Sequence, residues 1–460
     1  MFLLLFWIIL IIVIIRVSLT TAWLMISFLW LKKEARIASM IAKNNDYNFI
    51  LLIPVLKEQK ALPETISYFL NFKYDLSKIK IILISTENEF AGILTKTEKT
   101  TIDVIKKIQK ETNQKYGLEI IEHLHYPTLG GKMVDQLNYA FEHILNTEHG
   151  NLNRLFVGIY NADSRPNHLS LNYIAQTTRD KKYRVFQQSA VFLDNFNKMN
   201  LGNNFIAEKL LKANAILQTR WTFAHELPRM LMQSFMINKF KKRFFLAHCV
   251  GHGLFLRGDF LMEIKQIPRH TVTEDLFFGY VLSLLGESIN PIPLLECAEI
   301  PNKLIMALKQ KYVWFFGPLD HLSYRRFFLK NFSNRANRLL IDCMTFQGIL
   351  PAIAWFFSGW MIAYVIIYPI ITANMALLLL GLLAFIVYGP LNYLIVMIQS
   401  KILFQVASQN NKIKKRDYFW ILLFSFPMIL LHSIPPIFTL MAKLNYLINK
   451  KEPPKPKTER

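Results

Sequence analysis

Cysteine and acidic residues are scarce in this sequence, and each shortage excludes a class of protein. Only three cysteines occur in 460 residues, and they form no Cys-x-x-Cys pair and no Cys/His ligand spacing. The sequence therefore predicts neither a disulfide framework nor a structural zinc site, and the thiols are expected to be reduced and buried. No segment repeats along the chain, which excludes a repeat architecture.

Asp and Glu number 32 against 54 Lys and Arg, which gives a formal net charge of +22. Nucleic acid, an anionic substrate and the anionic face of a bilayer are the partners that such a charge suits. Hydrophobic residues make up 52% of the sequence, and the basic residues stand beside apolar runs. This arrangement favours membrane lipids over nucleic acid and indicates a membrane enzyme with more than one domain.

The chain begins with an apolar run that is longer than a bilayer requires. Residues 2–31 carry no charge except Arg16, which needs a polar cavity or must extend to an interface. No basic region precedes the run and no clear cleavage site follows it, so a transmembrane helix is favoured over a cleaved signal peptide. Lys32, Lys33 and Arg36 follow directly, so the positive-inside rule places the next domain in the cytoplasm.

Residues 45–320 contain short apolar runs that alternate with amphipathic stretches. Five runs predict strands: YNFILLIPVL, KIKIILIST, LEIIEHL, RLFVGIY and RVFQQSAVF. The stretch LPETISYFLNF has apolar residues at helical spacing and predicts a helix between the first two strands. Uninterrupted apolar runs suit parallel strands covered on both faces, so this region predicts an α/β sheet of the nucleotide-binding type.

The chain after residue 320 returns to membrane-like sequence. Arginines and aromatic residues at helical spacing over residues 321–342 predict an amphipathic helix in the membrane interface, although an exposed cationic helix fits the same pattern. Residues 343–397 hold two apolar stretches that predict a transmembrane hairpin. The basic loop 398–417 is then expected in the cytoplasm.

The last apolar stretch, residues 418–448, contains two consecutive prolines at positions 435 and 436. A single crossing would export the basic tail, residues 449–460, against the positive-inside rule. The sequence therefore predicts a broken membrane hairpin that returns the tail to the cytoplasm.

The candidate motifs lie where strands of the predicted sheet end, and open α/β sheets bind ligands beyond these carboxyl ends. Pro54 and Glu58 follow the first strand, and Lys132 follows a Gly-Gly pair that would let the backbone approach a ligand closely. The stretch YNADSRP places Asp163 after another strand. A nucleoside diphosphate needs an acid to hold a divalent cation, because the metal offsets the phosphate charge. A polar turn capped by Asp163 is the alternative interpretation.

Read in order, six motifs resemble the successive motifs of membrane-bound family-2 glycosyltransferases, the group that includes cellulose, hyaluronan and poly-N-acetylglucosamine synthases. They are LLIPVLKE, LGGKMVDQLNYAF, YNADSRP, HGLFLRGDFL, TEDLFFGYVLSLLGE and QKYVWFFG. The resemblance covers residues 45–320. It implies a cytoplasmic α/β GT-A domain flanked by transmembrane helices, a nucleotide-sugar donor, and Mg²⁺ or Mn²⁺ as the divalent cation.

The resemblance also implies a donor site. Glu58 and Lys132 match donor-contact positions, as does Pro54. Asp163 matches the second acid of an acid-x-acid motif, which holds the metal, and Asn161 stands where the first acid is usual. Asn161 can hydrogen-bond a ribose or phosphate but adds no charge to the cation. Where the family reads the base with an Asp, the stretch ISTENE offers two Glu and one Asn.

Catalysis and acceptor binding are implied by the last two motifs. Asp275 matches the general base that deprotonates the acceptor hydroxyl, with Glu274 as its supporting neighbour. Without the resemblance, both acids would only complement a helix dipole.

The stretch QKYVWFFG matches a Gln-x-x-Arg-Trp motif in Gln310 and Trp314, whereas Val313 replaces the Arg. Lys311 offers the missing cation toward the donor diphosphate. Trp314 would stack on the acceptor sugar, unless it is an interfacial anchor. His248 and His252 lie four residues apart without a helix signal, so a loop is favoured there over a metal site.

The sequence thus predicts an inverting glycosyltransferase of the inner membrane. It would move a hexose or N-acetylhexosamine from a nucleotide-diphosphate sugar to a growing glycan in polysaccharide synthesis. One base without a placed nucleophile indicates a single displacement. Two alternatives stay open: a single transfer to a lipid-linked acceptor, and a non-catalytic scaffold descended from the enzyme, which the departures at Asn161 and Val313 suggest.

Overall fold

The computed structural model describes residues 1–41, 46–91, 100–148, 150–199, 201–202, 204–269, 271–409 and 412–449. The strands are β1 (Asn48–Pro54), β2 (Ile79–Thr86), β3 (Ile121–Tyr126), β4 (Leu155–Ile159), β5 (Arg165–Pro166), β6 (Val185–Val191), β7 (Leu254–Arg257) and β8 (Ile289–Cys297). Within these ranges they form one sheet in the order β3-β2-β1-β4-β7-β6-β8-β5.

The half of the sheet formed by β3, β2, β1 and β4 is parallel. Alternate residues of β1 enter different hydrophobic clusters on the two faces: Ile50 and Leu52 join one, and Leu51 and Ile53 join the other. A strand buried on both faces needs apolar residues at every position, which is why the sequence shows uninterrupted runs. The predicted strands β1 to β4 and β6 are confirmed.

The other half of the sheet is mixed. Strand β7 is antiparallel to β4 and β6, and β8 is parallel to β6 but antiparallel to β5. Sequence patterns miss β8 because it contains Pro291 and Pro293, and proline lacks the N–H that a central strand donates. The strand β5 beside it is only two residues long, and the β6–β8 register shifts between Gln188 and Ala190.

The helices cover the sheet and form the membrane part of the molecule. The α-helices are α1 (Phe2–Ser39), α2 (Leu62–Phe69), α3 (Thr101–Tyr116), α4 (Met133–Thr147), α5 (Ser170–Lys181), α6 (Phe205–Trp221), α7 (Leu227–Phe240), α8 (Gly258–Ile264), α9 (Glu274–Leu285), α10 (Leu304–Leu319), α11 (His321–Phe332), α12 (Arg338–Ile371), α13 (Met375–Ile386), α14 (Asn392–Val406), α15 (Lys415–His432) and α16 (Pro435–Asn449). The helix predicted from LPETISYFLNF is confirmed as α2.

Two π-helical turns interrupt the helices. Thr222–Glu226 joins α6 to α7, and Val387–Leu391 joins α13 to α14. Such turns re-aim side chains and occur often at functional sites.

Within the described residues, four segments are long and apolar enough to cross a membrane: Phe2–Ser39, Arg338–Ile371, Met375–Val406 and Lys415–Tyr446. The helix α1 continues to Ser39, past the end predicted at residue 31. Its last turns stay helical because Leu31, Ala35 and Ala38 recur on one face and are buried. The helix α1 contacts β8 and α7, so it anchors the sheet domain directly.

The region predicted as one interfacial helix, residues 321–342, is divided in the structure. The helix α11 ends at Phe332, and α12 begins at Arg338 because Asn337 caps it through a 2.8 Å bond from the Leu340 N–H to Asn337 Oδ1. Cys343 on α12 is exposed, so the expectation of three buried thiols is wrong for this residue, whereas Cys249 and Cys297 are buried.

The predicted loop 398–417 is shorter in the structure, since α14 continues to Val406 and α15 begins at Lys415. The apolar stretch after it breaks between α15 and α16, just before the paired prolines. Both ends of this stretch contact elements outside the spans: Asp417 meets lysines of α6, and Lys443 bonds the Leu319 carbonyl at the end of α10 at 2.8 Å. The basic tail beyond residue 449 lies outside the described residues.

Candidate active site

A cavity of about 450 Å³ lies between the carboxyl ends of the strands and the membrane helices. We call it the central cavity. Six of the predicted site residues line it: Asn161, Asp163, Asp275, Gln310, Lys311 and Trp314. They come from β4, α9 and α10, which are far apart in sequence. The ordered motifs therefore converge on one space.

Asp163 and Asn161 lie in a tight turn that follows β4. The N–H of Asn161 donates to the Ser164 hydroxyl at 3.0 Å, and the Ser164 N–H donates to the Asn161 carbonyl at 3.1 Å. The Thr65 hydroxyl donates to the Ala162 carbonyl. These bonds fix the backbone of the turn, so both side chains reach the cavity from a rigid support.

Asp275 is in the first turn of α9, and its Oδ1 accepts the Leu276 N–H at 2.8 Å. The loop opposite it contains Gly251, where an added Cβ would lie only 3.4 Å from Oδ2 of Asp275. Burial raises the pKa of Asp275, although the N–H of Leu276 and the nearby His252 oppose this shift. A carboxylate with a raised proton affinity is suited to accept a proton.

Three further titratable residues near Asp275 and Asp163, to which the motifs gave no role, also line the cavity: His252, Glu296 and Glu226. His252 Nδ1 lies 2.8 Å from Glu296 Oε2. Burial by itself lowers the pKa of His252, but Glu296, with Glu226 and Asp163 nearby, outweighs burial and raises it to about 9. The histidine is therefore an imidazolium at neutral pH, a fixed positive charge among the carboxylates.

Glu226 lies in the π-helical turn Thr222–Glu226 and accepts the Ser189 hydroxyl at 2.8 Å. Burial raises its pKa to about 7, and the charge of Asp275 adds to the effect. The sequence signals for these residues were the pair of histidines in AHCVGHG, which lie in an irregular loop before β7, and the motif HGLFLRGDFL, which begins at His252 and was given no role. Glu226 and Glu296 carry no motif, because their role depends on how β6, β8 and α7 meet.

The helix α10 presents a strip of four residues to the cavity: Gln310, Lys311, Val313 and Trp314. Trp314 is 37% exposed, and its ring lies 6.3 Å from that of Phe192, which also lines the cavity. The two rings offer apolar faces to a sugar. Lys311 is buried, and its Nζ lies 5.9 Å from the Trp314 ring centre.

Comparison with protein families gives a match to the glycosyl transferase family group 2 over residues 156–397, which is more than half of the chain. The chain belongs to the family 2 glycosyltransferases. The match spans β4 to α14 and contains the turn at Asp163, the predicted base Asp275 and the strip on α10. The expected α/β GT-A class with flanking membrane helices is confirmed, with the sheet mixed in direction.

Two solved structures resemble this glycosyltransferase at low identity. The mannosyltransferase PcManGT from Pyrobaculum calidifontis, in complex with GDP-Man and Mn²⁺, is 14% identical, with 95% of this chain and 99% of that chain covered and a TM-score of 0.44. TarS 1–349 from S. aureus in complex with UDP is 12% identical, with 68% and 72% covered and a TM-score of 0.37. A comparison with curated proteins gives no match.

Four of the predicted residues are not among the described residues that line the central cavity of the glycosyltransferase: Pro54, Glu58, Lys132 and Glu274. Pro54 ends β1, and the Glu58 N–H donates to the Thr101 hydroxyl at 3.0 Å. Lys132 is exposed at the start of α4, next to Met133, which does reach the cavity. Glu274 precedes Asp275 in the first turn of α9.

The stretch ISTENE is occupied by structural contacts. Glu89 is 1% exposed and accepts the N–H groups of Lys57 and Thr101, each at 2.7 Å. Asn88 Oδ1 accepts the Gly130 N–H at 3.0 Å, and Gly130 has φ of 77°, which glycine adopts without strain. Glu89 thus fastens the loop after β1 to α3, and Asn88 positions the loop before α4.

The oxygen ligands at the Asp163 turn fit a hard divalent cation. Mg²⁺ is commonly held by one or two carboxylates together with substrate phosphates and water. Within the described ranges, no group of three or more His, Cys, Asp or Glu side chains has the arrangement to hold a metal alone. The turn therefore suits an ion that enters with a nucleotide diphosphate and takes most of its ligands from it.

Proposed function

We propose that this glycosyltransferase is an inverting enzyme. It transfers a hexose or N-acetylhexosamine from a nucleotide-diphosphate sugar to a hydroxyl of a growing glycan at the cytoplasmic face of the inner membrane. The observation that carries the proposal is the shared cavity: Asp163, Asp275 and Trp314 line one space that extends to the membrane helices. Polymer extension requires a donor end, a base and an acceptor platform in that order.

Asp163 holds the metal–diphosphate end of the donor in this proposal. The cation, Mg²⁺ or Mn²⁺, would offset the negative charge that develops on the departing nucleoside diphosphate. Asn161 faces the ribose and phosphates with an uncharged amide, and the His252 imidazolium adds a positive charge beside Asp163. Pro54, Glu58 and Lys132 then contact the donor from the β1 and α4 side.

Asp275 removes the proton from the acceptor hydroxyl as that oxygen attacks the anomeric carbon. Its raised pKa makes it a better base than a solvated carboxylate, and the Leu276 N–H orients it. Glu226 and Glu296 are engaged with Ser189 and His252, which leaves Asp275 best placed for the proton. A single displacement inverts the anomeric configuration. Glu274 supports the base from the same helix turn.

The strip on α10 holds the acceptor. Trp314 and Phe192 provide aromatic faces for the axial C–H groups of a sugar, and Gln310 provides an amide for its hydroxyls. Lys311 approaches from the same helix and supplies the charge that the Gln-x-x-Arg-Trp motif places two residues later, at the position of Val313. Burial lowers the pKa of Lys311 to about 7, so its charge depends on an anion nearby.

The deciding variant is Asp275→Asn, which keeps the shape but cannot accept a proton. General-base catalysis contributes roughly 10²–10⁴-fold, so transfer should fall by about that range. The measurement is nucleotide release from a panel of nucleotide sugars at saturating donor, with donor affinity measured by calorimetry on the same preparation. Donor affinity should survive the substitution.

Asp103→Asn is the matched control, because Asp103 is also a first-turn acid but caps α3 through Thr100, outside the cavity. Asp103→Asn should release nucleotide at the same rate as the parent. Equal rates for Asp275→Asn and the parent would reject the base, and a parent that binds donors but releases nucleotide from none would favour the scaffold.

A further inference from the structure

The end of the central cavity farthest from the sheet carries positive charges that the proposed reaction does not use. Arg16 from the first span and Arg220 from α6 line it, together with Tyr388 and His432. We call these four residues the cation cradle. Lys311 stands at the edge that joins the cradle to the strip on α10.

Tyr388 connects the two arginines. Its ring centre lies 5.4 Å from the guanidinium carbon of Arg16 and 5.6 Å from that of Arg220. Arg16 also donates to the Ala354 carbonyl of α12 at 2.5 Å. His432 stacks on Trp355 with ring centres 4.5 Å apart. Two guanidinium groups held on one ring present their N–H donors in a fixed arrangement. Planar guanidinium groups bind phosphate oxygens through two parallel N–H bonds, so this arrangement suits a phosphate.

Several side-chain nitrogens in this region are buried without a hydrogen-bond partner in the part of the chain that the structure describes. They are the donors Nε of Arg220 and Nζ of Lys311, together with the ring nitrogen Nδ1 of His432. Arg220 is 5% exposed and Lys311 is 1% exposed. A buried donor without an acceptor is costly, so each of these atoms points to a ligand that would satisfy it.

No carboxylate pairs with Arg16, Arg220 or Lys311 among the described residues. Other buried cations in the same molecule do have partners: Lys209 and Lys212, also on α6, meet Asp417 and Glu208. Unpaired charge at membrane depth is expensive and is characteristic of a functional site. The missing counter-charge must then come from a bound anion.

We propose that the cation cradle binds a phosphate or diphosphate group of a lipid-linked acceptor. Arg16 lies near the middle of the apolar run that begins the chain, which is long enough to cross a membrane. An anion that carries an apolar tail could therefore reach Arg16 from the bilayer. The nucleotide diphosphate is assigned to the opposite end, at Asp163. The proposal rests on the proposed function and names its acceptor as a glycan carried by a lipid phosphate.

The path from α6 into the π-helical turn supports this division. Glu226, whose carboxylate is near Asp275, lies six positions after Arg220. Six positions rise by about 9 Å in an α-helix, and by less where the π-helical turn replaces it. The phosphate would be held in the cradle while a sugar hydroxyl beyond it lies over Trp314 and reaches Asp275. The cradle therefore anchors the acceptor and does not take part in the chemistry.

The test uses the full chain in detergent micelles and three probes: farnesyl phosphate, farnesol and inorganic phosphate. Binding is followed by the fluorescence of tryptophan, since Trp355 and Trp221 line the same cavity. We expect farnesyl phosphate to bind at least tenfold more tightly than farnesol. A preference for farnesyl phosphate over inorganic phosphate identifies the lipid as the source, whereas equal affinities identify free phosphate and reject the lipid-linked acceptor.

Arg16→Gln and Arg220→Gln should each weaken farnesyl phosphate binding about tenfold or more, because each removes a charge-assisted hydrogen bond. Arg16→Lys keeps the positive charge, so its affinity for farnesyl phosphate should fall less than that of Arg16→Gln. Arg36→Gln removes an exposed charge from the same helix and should change nothing. Nucleotide-diphosphate affinity, measured alongside, shows that each variant is folded.

Equal binding of farnesol and farnesyl phosphate, or unchanged binding in both glutamine variants, would overturn the proposal. The assay needs no turnover, so it separates this proposal from the proposed function. Asp275→Asn should bind farnesyl phosphate like the parent. A parent protein that binds farnesyl phosphate but transfers no sugar would count against the enzyme mechanism and not against the cation cradle.

Discussion

Asp163 is the residue on which the proposed metal dependence rests. Asp163→Ala should abolish the Mg²⁺- or Mn²⁺-dependent part of donor binding, because an unscreened diphosphate would then meet too few positive groups. Calorimetry with UDP and GDP, with and without the cation, measures this. Glu64→Gln is the control, since Glu64 is exposed and pairs with Arg165 near the same turn. Metal-dependent binding that persists in Asp163→Ala would remove Asp163 as the ligand.

Asn161 stands where the family has an acid, and its substitution distinguishes two roles. If it only replaces the acid, Asn161→Asp should leave transfer unchanged or raise it at low metal concentration. We expect this result, because the Asn161 backbone and not its side chain holds the turn. Transfer rates across a metal titration measure it, and a near-complete loss would show that the amide donates a specific bond to the donor.

His252 gives a prediction about pH. Its pKa in the folded protein, about 9, is above the unfolded value of about 6.5. The histidine therefore contributes stability that is fully present below pH 6.5 and is lost as the pH rises through 9. His252→Gln should lower the melting temperature most near pH 6 and much less near pH 10.

Thermal unfolding at the two pH values measures the His252 effect. His143→Gln, which breaks a more exposed contact with Glu122, is the control and should change the melting temperature little. A difference between parent and His252→Gln that stays constant from pH 6 to pH 10 would contradict the assignment of charge to His252.

Single residues were predictable where their chemistry was tied to a local pattern. Asp163, Asp275 and Trp314 each stand in a short motif, and all three reach the central cavity. His252 and Glu226 could not be placed, because a histidine in a loop and an acid inside a helix are ordinary in sequence. What distinguishes them is burial next to opposite or like charges, which arises only when β6, β8 and α7 are assembled.

The contact between α6 and α15 is held by a buried group of charges. Asp417, 2% exposed, lies 3.5 Å from Lys212 and 3.9 Å from Lys209, and Glu208 lies within 3.1 Å of both lysines. Asp417→Asn leaves two buried lysines with one acid, so it should lower the free energy of unfolding by roughly 2 kcal/mol.

The melting temperature in detergent should fall by several degrees for Asp417→Asn. Glu111→Gln is the control, because it removes an exposed i,i+4 pair with Lys107 and should have an effect near zero. A variant at Asp417 that melts like the parent would show that the group of charges does not hold α15 to α6.

Helices and strands were predictable where the spacing of apolar residues within one segment determines its secondary structure. The parallel strands β1 to β4 follow from apolar runs, whereas β8 has two prolines that argue against a strand. The end of α1 was placed too early because Lys32 and Lys33 look like a membrane boundary. The opposite face of these last turns of α1 packs on the sheet domain. The pattern of a single segment does not show which other segment it packs against.

The arrangement of the whole chain in the membrane gives a labelling prediction. In intact cells, a cysteine at Thr372, in the turn between α12 and α13, should react with an impermeant thiol reagent. Cysteines at Ser408 and Asn449 should be protected, because the basic segments around them favour the cytoplasm and α16 turns back toward α10. Cys343 is exposed and is first replaced by Ser.

Reaction at Thr372 and at Asn449 together would mean that the segment Lys415–Tyr446 crosses the membrane once, and the broken hairpin would be rejected. Lysis of the cells is the control, because it should expose all three positions. Reaction at Ser408 in intact cells would instead reverse the orientation of the sheet domain.

The amino-acid sequence was sufficient for the class of this protein, for its membrane-length apolar segments and for six residues that line the central cavity, whose donor, base and acceptor roles are proposals. These features depend on hydrophobic length, on period and on short ordered patterns, which are local properties of the chain. The folded molecule was required for the pairing of His252 with Glu296, for the mixed directions of β7 and β8 in the sheet, and for the meeting of Arg16 with Arg220 at Tyr388. Each joins segments distant in sequence, and their energies depend on burial and distance, which no local pattern encodes.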